Sequence, residues 1–218
     1  MSVSWGDYNR DGLMDVYVGN MYSSAGNRVT YQRKLIETQS DQVVAQVQRM
    51  ARGNTLFANV GDHAFRDVSE LAAVTMGRWA WASKFVDLNN DGWQDLVITN
   101  GYVTNTDSGD LWSFFWRQVV PRSQEESAGT KASRDYQAAW RATQQLLQSG
   151  KSWSGHERNC AMLSCPQPDS DPRFANVSAA SGLDRFDDGR GLAVVDWDHD
   201  GDLDLWLSNR TADRKSVV

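Results

Sequence analysis

Three short segments of the chain carry oxygen-bearing side chains at the same spacing. They begin at Asp7, Asp87 and Asp196, and each reads D-x-[DN]-x-D-G-x-x-D. A hard cation such as Ca²⁺ takes about six to eight oxygen ligands, and alternate residues of a tight loop can direct their oxygens to one point. The spacing therefore predicts three calcium-binding loops, and with them a cofactor of about three Ca²⁺ ions.

The predicted ligands occupy loop positions 1, 3, 5, 7 and 9. Side chains supply the oxygens at four of these positions, and the backbone carbonyl supplies the one at position 7. Glycine at position 6 permits the positive φ with which the chain wraps an ion. The predicted ligands are Asp7, Asn9, Asp11, Leu13 and Asp15 in the first loop, Asp87, Asn89, Asp91, Trp93 and Asp95 in the second, and Asp196, Asp198, Asp200, Asp202 and Asp204 in the third.

A polar turn without a metal is the alternative interpretation of any one loop, because Asp, Asn and Gly are also the common turn residues. Three copies with similar flanking residues favour the metal. The loops differ in charge, since Asp198 stands where the first two loops have Asn9 and Asn89. Ligand charge raises calcium affinity, so the third loop is predicted to bind most tightly.

The residues that flank each loop indicate which kind of calcium loop this is. An EF-hand places a Glu at position 12 and a helix on each side, whereas position 12 here is Val18, Ile98 or Leu207. The flanking segments are short and rich in β-branched and large apolar residues, which is typical of strands. Each loop is therefore predicted to be the turn of a β-hairpin.

The chain also repeats over a longer distance. Phe65 and Phe174, like Asp87 and Asp196, are separated by the same interval, and each repeat is predicted to run through three strands, the calcium hairpin and a fourth strand. Four short antiparallel strands per repeat are typical of a β-propeller blade. The sequence thus predicts a mainly β fold, one partial β-propeller over residues 1–218 with two full four-stranded blades plus a further calcium hairpin.

Helical insertions are predicted at about 28–52 and 108–150. Apolar residues recur there at helical spacing, and a polar linker is expected at 122–131. The residues that define the helical faces are Ile36, Val43, Val47 and Met50, then Trp112, Phe115, Trp116 and Val119, then Tyr136, Trp140, Leu146 and Leu147.

Composition excludes some functions. The formal net charge of −6 argues against a nucleic-acid partner. No run of about 18 apolar residues is present, which predicts no membrane span, and an export signal, if any, is expected upstream because the first residues read directly as a strand. Cys160 and Cys165 are too few for a disulfide scaffold. Both a bridge and two free thiols remain open for them.

Residues 54–69 read N-x-L-F-x-N-x-G-D-x-x-F-x-D-V-S and lead to the second acidic loop. This run resembles the FG-GAP/VCBS repeats of the ASPIC/UnbV-associated, cartilage-acidic-protein-like group, and the integrin α-subunit propeller has the same kind of calcium loop. The resemblance implies a seven-bladed calcium-binding propeller, usually exported, that acts in adhesion or recognition. The chain lacks the ASPIC/UnbV segment, and we expect that the rest of the propeller or another chain closes the ring.

Two classes of function are consistent with these patterns. The first is a binding or scaffolding module, extracellular or periplasmic, that recognises a protein or a glycan and uses Ca²⁺ only structurally. The second is an enzyme, an oxidoreductase or hydrolase with its site at a helical insertion. Its candidate groups are His63, His156, Glu157, Arg158 and His199. No G-x-S-x-G or H-E-x-x-H motif is present, so no catalytic residue is predicted and the binding module is favoured.

Overall fold

The structure is a computed structural model that describes residues 1–32, 40–122 and 131–210, and only the backbone of residues 131 and 132. The chain divides into two compact units. The first comprises Met1–Tyr22, Gly53–Tyr102 and His156–Val218 and contains the large β-sheets. The second comprises Ser23–Arg52 and Val103–Gly155 and is mainly helical. The two stretches of the second unit are therefore both insertions into the first.

The first unit contains two four-stranded antiparallel sheets and a further hairpin, so the predicted partial β-propeller is confirmed. Every acidic loop joins the first two strands of its sheet. The first sheet is formed by β1 (Ser2–Gly6), β2 (Asp15–Gly19), β3 (Thr55–Asn59) and β4 (Phe65–Asp67). The second is formed by β5 (Ala80–Val86), β6 (Asp95–Asn100), β9 (Cys160–Gln167) and β10 (Ser170–Asn176), and the hairpin by β11 (Gly189–Val195) and β12 (Asp204–Asn209).

The order of strands within one repeat was predicted wrongly. The prediction placed β3 and β4 in the same unit as the hairpin that follows them, whereas β3 pairs with β2 of the preceding hairpin, Val16 opposite Phe57 and Val18 opposite Thr55. The free edge of that hairpin must satisfy its backbone groups, and β3 does so after the first insertion. Comparing the chain with itself reveals the repeat length but not where a sheet begins.

The core of the first unit explains the apolar composition of β6. One core lies between the two full sheets and includes the fully buried Tyr17, Leu56 and Ile98. A second core, with Val97 and Leu205, lies between the second sheet and the hairpin. The second sheet is thus covered on both faces. Its strand β6 is buried on both sides, and such strands are apolar on both faces instead of alternating between apolar and polar residues.

Two asparagines hold the strands at the points where the insertions leave the first unit. The side-chain Oδ1 of Asn54 accepts a hydrogen bond from the backbone N–H of Asn20 at 2.6 Å. Asn159 does the same for Asn100 at 2.8 Å. Both acceptors are buried. Each pair ties the end of a second strand to the start of the third, so the sheet continues despite the insertion.

The second unit is built from helices and a two-stranded parallel ribbon. Its helices are α1 (Ser24–Thr30), α2 (Asp41–Arg52), α3 (Trp112–Phe114) and α4 (Lys131–Gln148), its ribbon consists of β7 (Asp107–Asp110) and β8 (Lys151–Ser152), and the short helix α5 (Ser178–Ser181) lies in the first unit. After α3 the chain continues as a π-helical turn, Phe115–Val119. Predicted core position Ile36 and most of the predicted linker lie outside the described residues.

Aromatic side chains form the interior of the second unit. The ring of Phe115 lies 5.1 Å from that of Trp153 and 5.9 Å from that of Trp140, centre to centre. Trp116 is buried, and a side chain added at Gly26 would clash with its ring. The predicted aromatic stripe therefore serves packing, as such stripes on helices commonly do.

The two cysteines are free thiols. Both lie on β9, and residues five apart on a strand point to opposite faces of the sheet. Cys160 is buried in the core between the two full sheets, whereas Cys165 is partly exposed. Strand geometry thus decides between the two possibilities that the sequence left open.

Candidate metal centres

In the first acidic loop, backbone N–H groups of the loop donate hydrogen bonds to its own Asp carboxylates. The N–H of Gly12 donates to Asp7 Oδ2 at 3.0 Å, and the N–H of Leu13 donates to Asp11 Oδ1 at 2.8 Å. The N–H of Tyr8 donates to Asp15 Oδ2 at 3.0 Å, which closes the loop from its other end. Positions 1, 5 and 9 are therefore held by hydrogen bonds from positions 6, 7 and 2.

The same hydrogen bonds recur in the other two loops. The position 6 amides donate to the position 1 carboxylates at 2.8 Å for Gly92 and Asp87, and at 3.2 Å for Gly201 and Asp196. The remaining bonds join Trp93 to Asp91, Leu88 to Asp95, Asp202 to Asp200 and Trp197 to Asp204, all between 2.8 and 2.9 Å. Three separate segments thus adopt one loop conformation.

Backbone dihedrals show one expected and one unexpected feature of these loops. The position 6 glycines have positive φ, 86°, 83° and 97°, as predicted. Position 4 also has positive φ, 60° at Arg10, 57° at Asn90 and 61° at His199. Asn and His are enriched in this left-handed region but Arg is not. The residue types at position 4 therefore did not predict that this position, too, has a left-handed backbone conformation.

In the third loop the structure brings three acidic groups together. Asp196, Asp198 and Asp204 each offer an oxygen, and the three oxygens lie within 4.8 Å of one another. In the other two loops an amide occupies position 3. Asn9 Nδ2 there lies 3.1 Å from Asp11 Oδ2, and Asn89 Nδ2 lies 2.9 Å from Asp91 Oδ2. Side chains at positions 3 and 5 thus face each other in those two loops, whereas the group in the third loop joins positions 1, 3 and 9 and does not include Asp200.

One carboxylate oxygen of the third loop is buried without a hydrogen-bond donor among the described residues. Asp196 Oδ1 is buried and has no hydrogen-bond partner. Its counterparts, Asp7 Oδ1 and Asp87 Oδ1, accept the position 5 amide at 3.0 and 3.1 Å. A buried carboxylate oxygen without a donor is costly, and a cation would satisfy it. The all-oxygen donor set fits a hard cation such as Ca²⁺, whereas zinc sites use mainly nitrogen and sulfur.

Position 9 has a second role that the sequence did not reveal. Asp15 and Asp95 are fully buried. Asp15 Oδ1 accepts the N–H of Asn59 at 2.8 Å, and Asp95 Oδ1 accepts the N–H of Ser164 at 2.7 Å. Asn59 and Ser164 belong to the third strands of their sheets. The position 9 carboxylates therefore join each loop to the strand that follows the insertion.

Burial shifts the ionisation of these two carboxyls. The pKa of Asp15 is raised to about 6, mainly by this burial; the amides of Asn59 and Tyr8 oppose the rise, and the neighbouring carboxylates of Asp11 and Asp7 add to it. The pKa of Asp95 is raised for the same main reason. Desolvation and like charges disfavour the ionised form, and a bound cation does the opposite.

A residue outside the motif reaches the first loop. Asp171, on β10, accepts hydrogen bonds from Tyr8 Oη at 3.3 Å and from Asn9 Nδ2 at 3.4 Å. Its carboxylate also lies 3.7 Å from the guanidinium of Arg66. Asp171 borders a cavity of about 330 Å³ together with Tyr8 and Leu71. No sequence pattern pointed to Asp171, because the contact joins the loop of one sheet to a strand of the next.

The candidate catalytic groups are dispersed. His63 lies in the turn between β3 and β4, and His199 in the third acidic loop. Glu157 is buried and accepts the N–H of Trp79 at 2.7 Å. Arg158 pairs with Asp184 at 2.8 Å and lies over the ring of Phe186, and the exposed His156 ring lies 6.0 Å from that same ring. His156 and Arg158 thus share Phe186 as a neighbour, whereas the carboxylate of Glu157 bonds to the backbone of Trp79.

The described part of the chain contains no helix with the length and apolar character needed to cross a membrane.

Two sequence-family models match parts of the chain. The model described as FG-GAP repeat matches residues 1–32, which include the first acidic loop. The model described as FG-GAP-like repeat matches residues 39–98, which include the second loop. No curated protein matches the chain. FG-GAP repeats are therefore detected over the first sheet and the start of the second, and the third loop shares their conformation.

Proposed function

We propose that the chain is a calcium-binding β-propeller repeat module that holds a structural Ca²⁺ ion in each of its three acidic loops. The observation that carries this proposal is the threefold recurrence of one set of loop hydrogen bonds, together with the grouping of the Asp196, Asp198 and Asp204 oxygens in the third loop. The buried, unpartnered Oδ1 of Asp196 supports it further. FG-GAP repeats at the first two loops are consistent with the same function.

In this proposal the ions stabilise the fold. Carboxylates a few ångströms apart repel one another, by about 4 kcal/mol for a pair at 4 Å and an effective dielectric constant near 20. A cation removes this repulsion, so calcium binding contributes to folding. Because Asp15 and Asp95 also bond the third strands, an ion that holds position 9 in place holds the sheet together as well.

An exposed apolar face supports the proposal that the first sheet has a partner. Val3 and Trp5 on β1 are 58% and 56% exposed. Phe85, which precedes the second loop as Trp5 precedes the first, is instead packed against Tyr17 of the first sheet, with ring centres 6.3 Å apart. The face around Trp5 is therefore of the kind that another blade covers. We propose that the rest of a propeller or another chain does so.

The biological role that we propose is recognition of a protein or a glycan, in adhesion or scaffolding, by an extracellular or periplasmic protein. Extracellular calcium modules work at affinities of about 10⁻⁴ to 10⁻³ M, which matches the calcium concentration outside cells. The resemblance to the ASPIC/UnbV-associated group, with its VCBS repeats and its integrin-like calcium loop, belongs to this proposal.

Thermal unfolding and calorimetry test the calcium function. The chain is melted with Ca²⁺, with Mg²⁺ and with a chelator, and bound Ca²⁺ is counted by titration calorimetry. We expect close to three ions and a rise in Tm that Mg²⁺ does not reproduce. Saturation at about 100 times Kd corresponds to about 2.7 kcal/mol of stabilisation per independent site.

Single substitutions of the position 1 carboxylates provide the matched comparison. Asp7→Asn, Asp87→Asn and Asp196→Asn should each remove about one ion and part of the calcium-dependent rise in Tm. Asp135→Asn makes the same chemical change at an exposed position of α4 and should leave both unchanged. Equal melting curves for the parent chain in calcium and in chelator, with no heat of binding, would overturn the proposal.

A further inference from the structure

Neighbouring acidic loops contact each other through the same two loop positions. Arg10, at position 4 of the first loop, holds its guanidinium carbon 5.1 Å from the ring centre of Trp93, at position 7 of the second. Asn90, at position 4 of the second loop, donates from Nδ2 to Asp202 Oδ1, at position 7 of the third, at 2.6 Å. One contact is a cation–π contact and the other a hydrogen bond, but both join position 4 of one loop to position 7 of the next. The arrangement of the hairpins in the fold therefore brings these two positions together.

Position 4 reaches the next loop because of its backbone conformation. Its φ is 60° at Arg10 and 57° at Asn90, in the left-handed region that non-glycine residues adopt infrequently, Asn more often than Arg. Positions 3 and 5 on either side are proposed metal ligands. An ion that binds both of them restricts the residue between them and fixes the direction of its side chain.

Position 7 is the receiving end of each contact. Its backbone carbonyl is a proposed ligand, while its side chain is free to meet the neighbouring loop. The N–H of Trp93 and that of Asp202 donate to the position 5 carboxylate of their own loops, at 2.8 and 2.9 Å. A side-chain contact from the neighbouring loop therefore restrains the residue that supplies a ligand.

The contact between the second and third loops spans a cleft. A cavity of about 480 Å³ lies there and is lined by Asn90, Asp202 and Leu88, among others. The hydrogen bond from Asn90 to Asp202 joins the two loops across this cleft. That bond is therefore a link that one substitution can remove.

Resting on the proposed calcium function, we propose that the loops bind Ca²⁺ with positive coupling, transmitted from position 4 of one loop to position 7 of the next. An ion in the second loop orders Asn90, and Asn90 then holds Asp202 in place for the third loop. The third loop is then already partly ordered when its ion binds, and this lowers the entropic cost of that binding. The coupling is reciprocal, as any coupling of binding equilibria must be.

Repulsion between the bound cations acts in the opposite direction. Salt at about 0.15 M screens exposed charges beyond about 8 Å. The carboxylate of Asp202 also lies between the second and third loops and offsets part of the repulsion. Titrations at that ionic strength therefore report the ordering effect with less repulsion between the bound cations than titrations at low salt.

The position 6 glycines allow each loop to be followed separately. Gly12, Gly92 and Gly201 donate their N–H groups to the position 1 carboxylates of their own loops, so their amide NMR signals report binding at each site. The experiment titrates the ¹⁵N-labelled chain with Ca²⁺ and fits the third-loop affinity from Gly201. It then repeats the fit with Asp87→Asn, which disables the second loop.

We expect Asp87→Asn to weaken third-loop binding by about fivefold, at the low end of typical coupling between sites. In the Asn90→Gly background the same substitution should change third-loop affinity by less than about twofold. Glycine removes the side chain but keeps the positive φ free of strain. His199→Gly makes the same change at position 4 of the third loop and should leave the coupling between the second and third loops at its parent value.

Two outcomes overturn the inference while the calcium function stands. In one, the second and third loops of the parent chain fill independently. In the other, the coupling persists in Asn90→Gly. If none of the three glycine amides shifts when the parent chain is titrated, the proposed calcium function fails and the inference fails with it.

Discussion

Among the side chains proposed as metal ligands, a single carboxylate distinguishes the third acidic loop from the other two. Asp198 replaces the asparagine found at position 3, and its oxygen lies within 4.8 Å of those of Asp196 and Asp204. In the proposed function, three acidic oxygens so close together bind a divalent cation well and repel one another without it. Both this charge and the unpartnered Oδ1 of Asp196 set the third site apart.

The third loop should accordingly be the tightest of the three sites, and Asp198→Asn should bring it to the level of the others. We expect a loss of about tenfold in affinity, because ligand charge is one of the determinants of calcium affinity. Site-resolved calcium titration measures this. Asn89→Asp is the matched inverse substitution and should tighten the second site. A third loop that fills last in the parent chain would contradict the prediction.

The two thiols should differ widely in reactivity. Burial raises the pKa of Cys160 to about 11, so at pH 8 about one molecule in a thousand carries the reactive thiolate. Cys165 is partly exposed. We expect iodoacetamide to label Cys165 at least about 100 times faster than Cys160 in the folded chain, as measured by mass spectrometry.

The difference between the thiols should vanish in denaturant, where both side chains meet solvent. Cys165→Ser provides the control, because all folded-state labelling that remains must come from Cys160. Similar labelling rates for the two thiols in the native protein would show that Cys160 is accessible and that the core between the two full sheets opens readily.

Residue-scale chemistry was largely predictable from the sequence. The spacing of Asp7, Asp87 and Asp196 and their equivalents identified the loops, and Gly12 and its counterparts marked the turns. The contacts of Asp15 with Asn59 and of Asp171 with Asn9 could not be predicted. They depend on which strand or sheet lies beside a loop, and local sequence does not specify a neighbour that is distant along the chain.

At the scale of elements, each of the first two loops is attached to the third strand of its sheet by the position 9 carboxylate. Asp15 receives N–H groups from both its own loop and β3, whereas Asp11 is exposed and bonds only within its loop among the described residues. The two carboxylates are both proposed ligands, yet only Asp15 also belongs to the framework of the sheet. Their substitution should therefore have different effects with and without metal.

Asp11→Asn and Asp15→Asn should separate metal binding from sheet stability. In chelator, Asp11→Asn should be neutral or slightly stabilising because it relieves repulsion, whereas Asp15→Asn should cost about 1–3 kcal/mol because buried amides lose a charged acceptor. In calcium both should be destabilising. Chemical denaturation in each condition gives the free energies of unfolding. An equal loss for both variants in chelator would contradict the framework role of Asp15.

The sequence predicted which segments form strands and helices better than it predicted which strands belong to one sheet. β-Branched residues around each loop predicted hairpins, and helical spacing predicted α2 and α4. The assignment of β3 to the preceding sheet was missed, because repeats in a circular arrangement of blades can be divided at any point. Only the pairing of Val16 with Phe57 shows where one sheet ends.

At the scale of the whole molecule, the exposed face of the first sheet should make the chain associate. Trp5 and Phe65 lie edge to face on that side, with ring centres 6.4 Å apart. We expect association that increases with concentration, and Trp5→Lys should reduce it. Leu71→Lys is the control, since Leu71 is 73% exposed but lies beyond β4. Sedimentation velocity measures the outcome, and a parent chain that stays monomeric at every concentration tested would contradict it.

The interrupted sheets have a consequence for the order of events when the chain folds. β2 ends at Gly19 and β3 begins at Thr55, while β6 ends at Asn100 and β9 begins at Cys160. A hairpin closes quickly through local contacts, but a strand that returns after a long insertion arrives late. Each hairpin therefore has an unpaired edge strand until its third strand arrives, and unpaired edge strands promote aggregation of newly made chains. In the proposed function, a cation captured by the hairpin at that stage would keep the unpaired edge in register. Calcium would then be needed first in the compartment where the chain folds, before it is needed where the protein works.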